Sequence, residues 1–102
     1  MLVVEDRDPL RRMLCRALLQ AGYAVVEAPS AEDAFAHLGR RPAFDLVLTD
    51  LRLPGADGLA VLRASRERRA ATPVIVQTAF GTVDAAVEAM KGGAVDFLQK
   101  PV

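Results

Sequence analysis

The chain has 102 residues, 52% of them hydrophobic and 25% charged, with 13 basic and 13 acidic side chains. That composition fits one globular domain with a real core, and excludes a disordered segment. A formal net charge of zero argues against a domain that holds nucleic acid by bulk charge, and no apolar run approaches the roughly 20 residues that span a bilayer.

Strand-like and helix-like segments alternate along the chain. Leu2-Val3-Val4 is a first strand, leading into Glu5 and Asp6 without a signal peptide ahead of it. Asp8-Pro9 offers a helix N-cap with proline behind it, and Leu10, Met13, Leu14, Ala17 and Leu18 form a helical stripe ended by Gly22. Ala24-Val25-Val26 is predicted as a second strand. Ser30 and Asp33 resemble a capping box for a helix whose stripe is Ala31, Ala34, Phe35 and Leu38. Leu46-Val47-Leu48-Thr49 is a strand ending in Asp50, followed by the turn-rich Pro54-Gly55-Ala56-Asp57-Gly58. Leu59, Val61, Leu62 and Ser65 open a third helix that ends in a basic cluster of Arg63, Arg66, Arg68 and Arg69, read as a solvated end that suits the helix dipole. Val74-Ile75-Val76-Gln77 is a strand ending in Thr78. Val83, Ala86, Val87 and Met90 mark a fourth helix, broken at Gly92-Gly93, and Phe97-Leu98-Gln99 is a last strand ending in Lys100. Met13 and Met90 are expected in the core, and Cys15 and His37 off the apolar faces. A single cysteine cannot make an internal disulfide, so a cytoplasmic, reducing location is expected.

The strand runs are continuous rather than alternating, which suits strands covered on both faces. Repeated β–α units imply right-handed crossovers and a parallel α/β sheet of five strands with four helices. Ligands of such sheets sit beyond the carboxyl ends of the strands. Glu5, Asp6, Asp50, Thr78 and Lys100 all fall there. Three carboxylates would repel one another without a cation, and Mg²⁺ takes a few carboxylates while keeping several waters. Beside it, Asp50 can act as an acceptor carboxylate, with Lys100, Thr78 and backbone amides neutralising a transferring phosphoryl group. Each residue alone has an ordinary structural explanation, as a helix cap, a turn former or a solvated lysine; their joint occurrence at the strand ends does not.

These residues have a family likeness. Val3-Val4-Glu5-Asp6, Asp45 to Leu51, Leu53-Pro54-Gly55-Ala56-Asp57-Gly58, Thr78-Ala79 and Gly93 to Pro101 resemble the receiver domain of two-component response regulators over essentially the whole chain, 1–102. The resemblance implies a flavodoxin-like, doubly wound sheet of strand order 2-1-3-4-5. It implies Asp50 as phosphoacceptor, Glu5 and Asp6 as the Mg²⁺-binding pair, and the Arg52 backbone carbonyl as a further metal ligand. It also implies Thr78 as switch hydroxyl, Lys100 as phosphate-binding lysine on a cis bond to Pro101, and Phe97 as the rotating aromatic. The family's fifth helix is missing after Lys100, so one flank of the sheet is expected to lie bare, and a truncated domain or a covering partner is expected.

The implied function is a phosphorylation-dependent switch and not a turnover enzyme. A sensor histidine kinase supplies the phosphoryl group, and the face of the fourth helix and last strand changes shape. An output domain, DNA-binding or ATPase, is implied in the full-length protein, with a homodimer left open and no direct contact with nucleic acid or membrane. Phe80 to Lys91 is similar to receivers of transcriptional regulators, including those that drive an ATPase acting on alternative-sigma-factor polymerase. Two other readings stay open: an aspartyl-nucleophile phosphatase or phosphotransferase, which would want an aspartate where Arg52 stands, and a receiver-like binding module that is never phosphorylated.

Overall fold

The computed structural model describes residues 1–40, 44–78 and 83–99. Its elements, in chain order, are β1 (Leu2–Val4), α1 (Asp8–Gln20), β2 (Val26–Ala28), α2 (Ala31–Arg40), β3 (Val47–Asp50), α3 (Gly58–Arg68), β4 (Val74–Thr78), α4 (Val83–Lys91) and β5 (Asp96–Gln99). The five strands are all parallel in the order β2-β1-β3-β4-β5. This is the flavodoxin-like arrangement expected.

Handedness decides which face each helix covers. The step from β1 to β2 runs one way along the sheet, and the later steps run the other. Right-handed crossovers therefore place α1 on one face and α2, α3 and α4 on the opposite one. The main core lies on the three-helix face, where Leu2, Val4, Val47, Val74 and Val76 pack with Ala31, Ala34 and Leu38 of α2, Val61 and Leu62 of α3, and Ala89 of α4. On the α1 face Val3 is fully buried, but Leu48, Ile75 and Leu98 are only half-buried.

Several local expectations are corrected. Asp8 is the first residue of α1 rather than its cap; Arg7 stands at the N-cap, and its amide donates to Glu5 Oε2 at 3.1 Å. The buried side of α1 is Arg11 and Cys15, so Cys15 lies inside, while Met13 is 60% exposed. The most buried side of α1 thus lies about one residue round from the predicted stripe, with Leu10, Leu14 and Leu18 half-buried beside it. Burial pushes the Cys15 thiol up to about 11, with the nearby Glu27 adding to it, so this sulfur stays protonated and inert.

On α4 the small Ala89 makes the buried contact, and Val83, Val87 and Met90 point outward at 80%, 44% and 50% exposure. Phe35 of α2 is half-exposed as well. β2 starts two residues later than predicted. The chain reverses at Gly22 (φ 98°), the Ala24 carbonyl is taken by the N-terminal ammonium at 3.0 Å, and pairing with β1 begins only at Leu2↔Val26.

Other signals hold. The Ser30 hydroxyl accepts from the Asp33 amide at 3.1 Å and donates to its carboxylate at 3.0 Å. Asp57 caps α3 by accepting from the Ala60 amide. Arg66 donates to the Ala70 carbonyl at 2.9 Å beyond the end of that helix. The position most constrained by packing is Gly58. Its amide donates to Leu51 O at 2.7 Å, and an added Cβ would overlap the Asp50 carbonyl oxygen. Gly58→Ala is therefore expected to cost about 2 kcal/mol or more of stability, since the obstacle is backbone that cannot step aside. Urea unfolding measures this, and an unchanged midpoint would show that the loop relaxes freely.

Candidate functional site

The site follows from register. β1 pairs with β3 through Val4↔Thr49, so the next residues, Glu5 and Asp50, fall abreast at the carboxyl edge of the sheet. Asp6 follows directly in the loop to α1. Carboxylate oxygens of Glu5, Asp6 and Asp50 all lie within 4.8 Å of one another. Glu5 is fully buried and Asp50 is 5% exposed, while Asp6 sits at the exposed rim.

Buried carboxylates are rare without partners. Two carboxylates at such a separation repel by about 3 kcal/mol at an effective dielectric near 20. That exceeds the roughly 1 kcal/mol of an ordinary helix cap or hydrogen bond, so capping does not account for the cluster. Desolvation, followed by the hydrogen bond and charge of Glu5, pushes the Asp6 carboxyl above its ordinary value of 3.8. The donor set is all hard oxygen, without His or Cys. Those donors fit Mg²⁺ or Ca²⁺ and not a thiophilic metal.

On the next strand, β4 pairs with β3 through Asp50↔Gln77, and Leu51 N donates to Gln77 O at 2.8 Å. Thr78, one residue further at the end of β4, is 1% exposed. Phe97 on β5 registers with Val76 and packs half-buried against the core. Arg52, two residues past Asp50, is exposed. Lys100 and its bond to Pro101 lie outside the described residues. The structure thus gathers Glu5, Asp6 and Asp50 into one cluster, with Thr78 on the adjacent strand end.

Three residues near the site have no individual role in the sequence reading. Gly58 could have been found from its place closing the Pro54–Gly58 turn. Gln77 is 2% exposed and, among the described residues, its amide nitrogen has no hydrogen-bond partner; the signal was a lone amide inside an apolar run. Arg11 gave no signal, because an arginine on a helix reads as surface.

The raised Asp6 pKa has a definite sign. The folded chain holds this proton more tightly than the unfolded one, so stability falls as pH rises from about 3.8 through the raised folded value, and is level above it. In EDTA at pH 7, Asp6→Asn is expected to unfold at higher urea than the parent. The gap should close below pH 3.8. A gap that persists under acid would show that charge crowding is not its cause.

Among known proteins, the family model for the response regulator receiver domain matches residues 1–102. Response regulator protein FleR of Pseudomonas aeruginosa is 47% identical over 100 residues, which is 98% of this chain and 21% of FleR. The DNA-binding transcriptional regulator NtrC of Salmonella typhimurium is 40% identical over 99 residues, 97% of this chain and 21% of NtrC. This chain thus spans about a fifth of the length of these relatives. A response regulator from Burkholderia pseudomallei, crystallised with a phosphorylated aspartic acid, a calcium ion and citrate, superposes with a TM-score of 0.93 at 30% identity, covering 99% of this chain and 59% of that one. Fold, strand-end acids and relatives agree: the chain belongs to the response regulator receiver domain family.

Proposed function

We propose that Asp50 accepts a phosphoryl group from a sensor histidine kinase, with Mg²⁺ held by Glu5, Asp6, Asp50 and the Arg52 backbone carbonyl. The observation that carries this reading is the approach of three carboxylates to within 4.8 Å at the carboxyl edge of a parallel sheet. The similar Burkholderia pseudomallei protein holds a phosphorylated aspartic acid and a calcium ion, which supports both parts of it. When bound, the cation supplies positive charge to the oxygens of the transferring group.

The acceptor's own part is simple. A carboxylate oxygen of Asp50 forms the new P–O bond as the P–N bond to the kinase histidine breaks, and the imidazole, already protonated on its other nitrogen, takes the P–N electron pair and leaves neutral. The product is an acyl phosphate carrying about −1.5 to −2 of added charge. Lys100 and the Thr78 hydroxyl bind its oxygens, and Phe97 swings into the space Thr78 leaves.

The charge favours one of two pre-existing conformations, and so acts only as far as it binds that one better. The α4–β5 face is suited to report the change, because Val83, Val87, Met90 and Val95 already present exposed apolar side chains there. The output is control of transcription through a DNA-binding or ATPase domain of a longer cytoplasmic protein, in keeping with the regulators it resembles. The domain assists its own phosphorylation and dephosphorylation without turning over a separate substrate.

Intact mass after incubation with acetyl phosphate and Mg²⁺ tests this. One added phosphoryl group is expected, lost in Asp50→Ala and lost on chelation. Labelling that survives Asp50→Ala would remove the acceptor assignment. Lys100→Ala is expected to keep part of the labelling while amide NMR shifts across α4 and β5 no longer follow it; full coupling in that variant would remove the role of the lysine.

A further inference from the structure

Arg11 is the one basic side chain among the described residues of this chain that is buried, at 8% exposure. Each of its three guanidinium nitrogens is engaged. Nη1 donates to the Glu5 backbone oxygen at 3.0 Å, Nε donates to Glu27 Oε1 of β2 at 3.1 Å, and Nη2 pairs with Asp8 Oδ1 at 2.7 Å. The Glu5 oxygen belongs to the peptide group that joins Glu5 to Asp6. That peptide sets the direction in which both acids leave the end of β1. The rest of Glu5 is also tied, with its amide donating to Ala28 O at 3.1 Å and its carboxylate accepting from the Arg7 amide at 3.1 Å.

We propose that Arg11 is a positioning residue for the cation site: by clamping the Glu5–Asp6 peptide to α1 and β2 it holds the acid pair in the geometry that a divalent cation needs. This rests on the reading of Glu5, Asp6 and Asp50 as a cation site. A planar fork suits the task, because one group satisfies three acceptors on three segments at once, which an ammonium does poorly. Electrostatics alone would argue against placing a cation there, since its charge opposes binding of a second one. Asp8 and Glu27 offset that charge locally, which leaves geometry as the contribution of Arg11.

The sign of one measurement separates the two roles. Removing a nearby positive charge should tighten Mg²⁺ binding, whereas losing the clamp should weaken it. Calorimetric titration of the 102-residue chain with Mg²⁺, well below the unfolding temperature, is expected to show Arg11→Met binding about tenfold more weakly, in the range found for partners that orient metal ligands. Phosphorylation by acetyl phosphate should recover to near the parent rate at saturating Mg²⁺, so that the half-saturating Mg²⁺ concentration moves and the maximal rate does not. Arg11→Lys keeps the charge and is expected to fold, yet to weaken Mg²⁺ binding at least threefold, which keeps the test open should Arg11→Met not fold. Unchanged or tighter binding in the folded variants overturns the positioning role while the cation site stands. Absence of Mg²⁺ binding by the parent chain overturns the cation site and this role with it.

Discussion

The parallel pairing of β1 with β3 is the constraint from which the site follows. It is a short contact, since β1 has only three residues. Yet a slip of one residue would turn every side chain of β1 to the other face. Leu2 and Val4 would leave the three-helix core, and Glu5 would no longer stand beside Asp50. The apolar residues of the strand therefore hold the acids in place, and the burial of Leu2, Val3 and Val4 at 0% exposure is what confines them to this register. Stability and chemistry are coupled here through backbone alignment.

The pocket itself works against folding. Crowded carboxylates at a sheet edge and an amide nitrogen of Gln77 without a partner among the described residues are features that packing alone would not retain. Around them the chain is tied closely. Gly58 brings the start of α3 against the Asp50 backbone, Arg11 ties the first helix to the acid pair, and the Asp57 cap fixes the direction in which α3 leaves. The unfavourable groups thus sit within a rigid frame whose cost is offset by the core on the far face of the sheet.

The strand ends were legible in the sequence because two signals coincide there: a continuous apolar run, and a change to a chemically distinctive residue. That coincidence placed Glu5, Asp6 and Asp50, while the strand order came from the family likeness alone. The helix faces were less legible. Periodicity shows that a stripe exists, but not whether it meets the sheet or the solvent. On α4 the valines and Met90 face outward because a small residue, Ala89, gives the closer approach to the sheet. On α1 the buried side includes Arg11, whose partners Glu5 and Glu27 lie just past β1 and on β2 and so cannot be inferred from the helix alone. β2 was misplaced for a related reason: its start depends on the reach of the turn at Gly22 and on where β1 begins, both of which are tertiary facts.

The central place of β1 has a consequence for biosynthesis. Within this domain Leu2–Val4 is the first strand synthesised, yet its two neighbours begin at Val26 and Val47. Nearly half of the domain must emerge before this strand has a seat on both sides, and parallel neighbours close long loops before those contacts repay the lost entropy. During that interval the nascent domain displays a short sticky segment without its neighbours. Slow codons over the stretch before Val47 would hold the growing chain in its most vulnerable form, whereas swift synthesis through β3 or a bound chaperone would shelter it.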